Sequence, residues 1–133
     1  MRRALGFQNG NRGFGDRAGA VLVLTSDMRG FTTIGERNQC WIDGGLFAMS
    51  LAYAFHAQGF GTCMLNWSME RTRDLEMRRA LGIPDHESVI LMMAIGVMPE
   101  EFSVARSPRR PLGEVLRICA SQGANDEHAG IGG

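Results

Sequence analysis

Lysine is missing from this chain of 133 residues, and all fourteen of its basic side chains are arginine. That absence excludes a Schiff-base lysine, a lysine general base and the lysine slot of a phosphate-binding P-loop. Acidic and basic residues balance at a formal charge of zero, so the excess of cations that binding a nucleic-acid backbone exploits is lacking. No nucleic-acid partner is expected. Cysteine is scarce: Cys40, Cys63 and Cys119 are an odd number at wide spacing, which fits neither a disulfide framework nor a C-x-x-C site. Reduced thiols in a cytoplasm are the expectation. His56, His86 and His128 stand far apart with no H-E-x-x-H pairing, so no metal site is expected. Long apolar runs are also absent, since the greasiest window, 46–55, is too short to span a bilayer. The N-terminus has no apolar stretch of signal-peptide length. A soluble cytoplasmic protein with no membrane partner follows as the expectation.

What is present suits one folded core, with 44% apolar and 21% charged residues. Residues 1–19 carry five glycines among Asn, Arg and Asp without an apolar period, and read as a Gly-rich leader acting as a connector. The run Ala20-Val-Leu-Val-Leu-Thr25 predicts a strand covered on both faces. A long apolar helix is predicted over 41–57, greasy nearly all round, closed by Gly59 and Gly61. Thr62-Cys-Met-Leu65 predicts a short strand stopping at Asn66-Trp67-Ser68. The stretch 72–81 reads as an amphipathic helix stopped by Gly82, and the seven apolar residues from Val89 to Ile95 as a buried central strand. Strands alternating with helices point to a layered α/β arrangement with helices covering the sheet. The domain is expected over 20–118, with two turns of helix starting at Leu112 and a flexible tail over 119–133.

Three places could carry chemistry or contact. Arg106, Arg109 and Arg110 lie within five positions, in a segment held extended by Pro108 and Pro111. Clustered guanidiniums suit a phosphate; a solvated basic loop is the plainer alternative. The large face of Trp67, in a turn at a strand end, needs cover from either a flat aromatic ligand or the protein's own core. Asp43 is expected in the first turn of the long helix, complementing its dipole. Gly44-Gly45 would cost that helix roughly 1 kcal/mol each relative to Ala, so another helix or a partner chain is expected close to its backbone.

The strings Gly35-Glu-Arg-Asn-Gln39, Ile42-Asp-Gly-Gly-Leu-Phe-Ala-Met-Ser-Leu51 and Gly59-Phe-Gly-Thr-Cys-Met-Leu-Asn-Trp-Ser68 resemble the C-terminal half of the nitroreductase family of FMN-dependent oxidoreductases. The likeness is strongest to members found near polysaccharide-biosynthesis genes. Ala80-Leu-Gly-Ile-Pro-Asp85, Ile95-Gly-Val97 and Ser107-Pro-Arg-Arg-Pro-Leu112 continue it in order, so that it runs from about Asn11 to Leu116.

The resemblance implies an α+β fold with a nitroreductase-like mixed sheet, a homodimer formed through the long central helix, and FMN sites built from both chains. It places Met64, Leu65, Asn66 and Trp67 along the flavin ring, with a backbone N–H at Asn66 or Trp67 toward the flavin N5. Arg109 falls at the phosphate clamp, with Ser107 where many members have Lys and Arg106 or Arg110 as the second charge. The family's N-terminal portion, with its phosphate motif and further flavin contacts, is expected to be missing, and Arg2-Arg3 stand in the wrong context to replace its phosphate contact. The implied activity is ping-pong transfer of hydride from NAD(P)H, through the flavin, to a nitroaromatic, quinone or similar small acceptor, with no catalytic side-chain acid or base. Two other readings of the residues stand beside it: a truncated, flavin-free homologue serving as a dimeric binding or assembly module, and a phosphoanion-binding protein using its arginines.

Overall fold

The three apolar runs become the three strands of one sheet. The computed structural model describes residues 2–103 and 106–119, and divides the chain into two compact units, Met1–Glu100 and Glu101–Gly133. That boundary falls inside the stretch 20–118 read as one domain. In the first unit, β1 (Ala20–Asp27), β2 (Phe60–Asn66) and β3 (Glu87–Val97) pair in the order β1-β3-β2. Both pairings are antiparallel. An apolar run shows that a strand is covered, but says nothing of its direction.

Helices cover both faces, and the class is α+β. On one face α2 (Gln39–Ala57) lies over Leu22, Leu24, Ile90, Leu91, Met93 and Ile95, contributing Ala48, Leu51, Ala52 and Phe55. The other face packs Leu65, Val89, Met92 and Ala94 against Met77 of α3 (Arg71–Leu81) and against Ala4 and Leu5 of α1 (Arg2–Leu5). Met77, Met92 and Met93 are fully buried, each worth roughly 1.5–3 kcal/mol of transfer free energy. The methionines named here fill the core, as unbranched, adaptable side chains do.

Register slips once. Leu24 pairs with Leu91 and Thr25 with Val89, leaving Ile90 as an extra residue on β3. Such a bulge sends two neighbouring side chains to one face, and here Ile90 and Leu91 both reach the α2 layer. Ile90 then meets α2 at Gly44, where an added Cβ would sit 2.7 Å from its Cγ1. The close approach expected at this glycine is thus made by the chain's own sheet, while Gly45 faces open space. Asp43 also differs from expectation: the helix starts at Gln39, so the carboxylate lies in the second turn and accepts a hydrogen bond from Gln39 Nε2 at 2.7 Å.

The leader is not a loose connector. Phe7, Phe14 and Ala18 pack against the core beside Ala4 and Leu5. Arg73 of α3 donates to the carbonyls of Gly6 and Phe7 at 2.8 and 2.9 Å, with its guanidinium over the Phe7 ring. A handful of apolar residues is too few to show a period, and the bonds that hold them come from sixty-odd positions away. Gly82 ends α3 in the left-handed conformation, at φ 70°, which only glycine adopts freely. In the second unit one helical turn, α4 (Leu112–Val115), stands where two were expected. The tail beyond Cys119 lies outside the described residues. Among the described residues no helix is long and apolar enough to cross a membrane.

Candidate functional site

β2 alternates its side chains between the two faces, and that alternation sorts the candidate residues. Leu65 is buried opposite Met92 in the core beneath α1 and α3. Met64 and Asn66, opposite Met93 and Leu91, point to the α2 side and are exposed. Gly44 packs on Ile90, next to the Leu91 that faces Asn66. The N-terminal half of α2 is therefore at the level of this strand end.

Trp67 follows, half-buried, and its indole packs against the core cluster. Its Nε1 donates to Asp74 Oδ1 at 2.7 Å. Asp74 Oδ2 in turn accepts from Arg78 Nε at 2.6 Å, and Arg78 donates onward to the carbonyls of Pro84 and Glu87. Of the two covers open to this side chain, the structure supplies the protein's own core. The other half of the turn is held by Gln8, whose Nε2 donates to the Asn66 carbonyl while its Oε1 accepts from Gly10 N–H at 2.8 Å.

The exposed face of α2 carries Trp41, Ile42, Leu46, Phe47, Met49 and Tyr53, with Leu46 64% and Tyr53 66% exposed. Large apolar side chains left open in this number on one helix exceed the singly scattered ones that are normal on a surface. Their exposure explains why the helix is greasy all round: one side meets the sheet, and the other is left exposed among the described residues.

In the second unit, Ser107, Arg109 and Arg110 are exposed, as is Arg106. Arg109 Nη1 donates to the Ser107 carbonyl at 3.1 Å and also to the Ser107 hydroxyl. Guanidinium and hydroxyl are thereby brought together as donors, the combination that recognises a phosphate. Arg3 is exposed on α1, and the side chain of Arg2 lies outside the described residues.

Cys63 shares the Leu65 face. Desolvation by the surrounding chain pushes its thiol above the ordinary value, so it stays protonated at neutral pH and is no activated nucleophile. No group of three or more His, Cys, Asp and Glu side chains able to hold a metal occurs among the described residues. The partners that secure the strand end, Gln8, Asp74 and Arg78, were not singled out from sequence. Asp74 was accessible in principle, as the acidic residue in the first turn of α3, seven positions after a tryptophan that needs an N–H acceptor. Gln8, inside a glycine-rich stretch, left no signal.

This arrangement of an antiparallel sheet between a long apolar helix and a shorter amphipathic one defines an α+β domain with an exposed helical face. The chain belongs to the nitroreductase family, whose sequence profile matches residues 2–97. The match begins within the leader, which accords with its packed state. Among solved structures, the chain is similar to the FMN-dependent nitroreductase of Clostridium difficile at 18% identity and a TM-score of 0.60, covering 79% of this chain and 62% of that one. It is similar to ydfN of Bacillus subtilis at 19% identity and a TM-score of 0.70, covering 89% and 72%. NfrA1 nitroreductase of B. subtilis is matched at 20% identity and a TM-score of 0.66, covering 87% and 52%. The chain thus spans less than two thirds of the length of the C. difficile protein. No curated protein matches it.

Proposed function

We propose that the chain is an FMN-dependent oxidoreductase, working as a homodimer that carries electrons from NAD(P)H to a nitroaromatic, quinone or similar small acceptor. The observation that carries the reading is the juxtaposition, in a nitroreductase-family domain, of an open apolar face on α2 with a strand end exposing Met64 and Asn66. Family membership supports the oxidoreductase class, and one neighbour in fold is itself described as FMN-dependent. The proposal extends to the branch found near polysaccharide-biosynthesis genes.

Each unit, taken by itself, offers groups that suit a part of FMN. Met64 and Asn66, two apart on one face of β2, offer an apolar and a polar contact to a flat ring. The Asn66 carbonyl is held by Gln8 and the Trp67 indole by Asp74, and the main chain at these two residues offers N–H groups for a ring nitrogen. Arg109 with Ser107, and Arg110 beside them, offer charge and hydroxyl to a phosphate. When bound, FMN supplies the two-electron chemistry that links a hydride donor to an acceptor. The chain's own part is to orient the ring along residues 64–67, to neutralise the phosphate, and to exclude water by pairing two α2 faces. No side chain is assigned as acid or base.

A titration of the purified protein with FMN, followed by visible absorbance and then by NAD(P)H oxidation, tests the reading. Uptake of flavin with a perturbed spectrum, in a particle of twice the 14.6 kDa chain mass, is the expected result. A colourless protein that oxidises no NAD(P)H would overturn it; if that protein were still dimeric, the assembly-module reading would take its place.

A further inference from the structure

We infer that Gln8 is a positioning residue for the flavin-contacting peptide between Asn66 and Trp67, an inference that rests on the functional reading above. Among the described residues Gln8 is the buried polar side chain of the core, 6% exposed. Burying an amide is unfavourable unless its hydrogen bonds are made, and here both ends are used: Nε2 donates to the Asn66 carbonyl, and Oε1 accepts from Gly10 N–H. The leader that carries it is itself fixed, with Asn11 Nδ2 donating to the Leu5 carbonyl at 3.1 Å and Arg73 binding the carbonyls of Gly6 and Phe7. Gln8 is therefore a rigid donor.

A peptide unit is planar, and in its trans form the C=O and the following N–H point in opposite directions. No cis peptide occurs among the described residues. Holding the Asn66 oxygen therefore holds the Trp67 N–H pointing away from Gln8. The Trp67–Asp74 bond fixes the indole and does not itself reach this peptide plane, which lies at the end of the β2 ladder. The two restraints are complementary: α3 secures the ring and the leader secures the plane.

The test uses Gln8→Met, which keeps length and loses the donor, and Gln8→Glu, whose carboxyl can donate to the Asn66 oxygen only when protonated. Amide spectra and exchange rates of the free protein are recorded alongside FMN titrations. In Gln8→Met the Trp67 backbone amide should shift and exchange faster while its indole N–H stays in place, and FMN affinity should fall by about fivefold to tenfold, the scale of one lost hydrogen bond. In Gln8→Glu affinity should recover as pH falls, a dependence that neither the wild type nor Gln8→Met shares. Should Gln8→Met fail to fold, the pH series in Gln8→Glu decides alone. Wild-type protein that binds FMN, with variants that bind equally well at every pH, overturns the role of Gln8 and leaves the functional reading intact. An affinity loss with an unmoved Trp67 amide also overturns it. Wild-type protein that takes up no FMN overturns the functional reading, and this inference with it.

Discussion

Gly44 and Ile90 meet so closely that no side chain fits between α2 and the bulge of β3: a Cβ on Gly44 would lie 2.7 Å from Cγ1 and 2.8 Å from Cγ2 of Ile90. Both are carbons attached directly to Cβ of a β-branched residue, which has little freedom to turn aside.

Gly44→Ala should therefore lower stability by about 1–3 kcal/mol, the usual cost of overpacking. Gly45→Ala meets nothing among the described residues and should gain roughly 1 kcal/mol of helix propensity. If two chains pair across this face, part of that gain returns as weaker association. Urea unfolding and sedimentation, read together for both variants, check the contrast.

Placing a charge on the open side of α2 should leave the fold and remove the pairing. Leu46→Glu and Phe47→Glu alter side chains that are 64% and 58% exposed, so circular dichroism should hardly change. Sedimentation should move from a dimer to the 14.6 kDa chain, and bound flavin should be lost with it. A variant still dimeric at micromolar concentration would rule out this face as the interface.

Arg109→Ala should weaken FMN by about tenfold to a hundredfold, as expected for losing a charged hydrogen-bonding partner. Arg109→Lys should recover only part, because an ammonium keeps the charge but not the fork. Trp67→Phe is the control: it strips Asp74 of one donor and should cost stability of about 1–3 kcal/mol, with little effect on phosphate recognition. Riboflavin, which has no phosphate, should bind wild type and Arg109→Ala alike.

At the end of β1, Arg29 grips Asp27 through its guanidinium at 2.6 Å and through its backbone N–H. Those bonds hold the Asp27 carboxyl down at about 2. A depressed carboxyl stabilises the fold above its unfolded value, about 3.9, and that contribution disappears as pH falls through about 2. Asp27→Asn should thus be less stable than wild type at pH 5, with the difference closing toward pH 2. Both groups are solvent-exposed, so the effect is small. Urea midpoints across that range read it directly.

The strands were legible because an apolar run needs cover whatever lies beside it, and 89–95 sits at the centre of the sheet. Their ends were not: Ser26, Asp27, Glu87 and Ser88 extend the β1–β3 ladder through backbone bonds that polar side chains do not advertise. Long-range partners were the main omission. Trp67 stood out as needing cover, yet Asp74 and Gln8 approach it from opposite directions in sequence. Gly44 announced a close neighbour without revealing whether it was internal. The exposed half of α2 was visible as surplus hydrophobicity, since a helix with one sheet beneath it needs only one greasy side.

The two tryptophans occupy opposite circumstances. Trp41 stands 49% exposed on the outer side of α2, whereas Trp67 is anchored in the core by its own N–H. The chain therefore contains a pair of native optical probes with separate assignments. Emission from the first should blue-shift on self-association, and that from the second should red-shift only on denaturation. Replacing one at a time would let a fluorimeter follow assembly and unfolding as independent events without any added label.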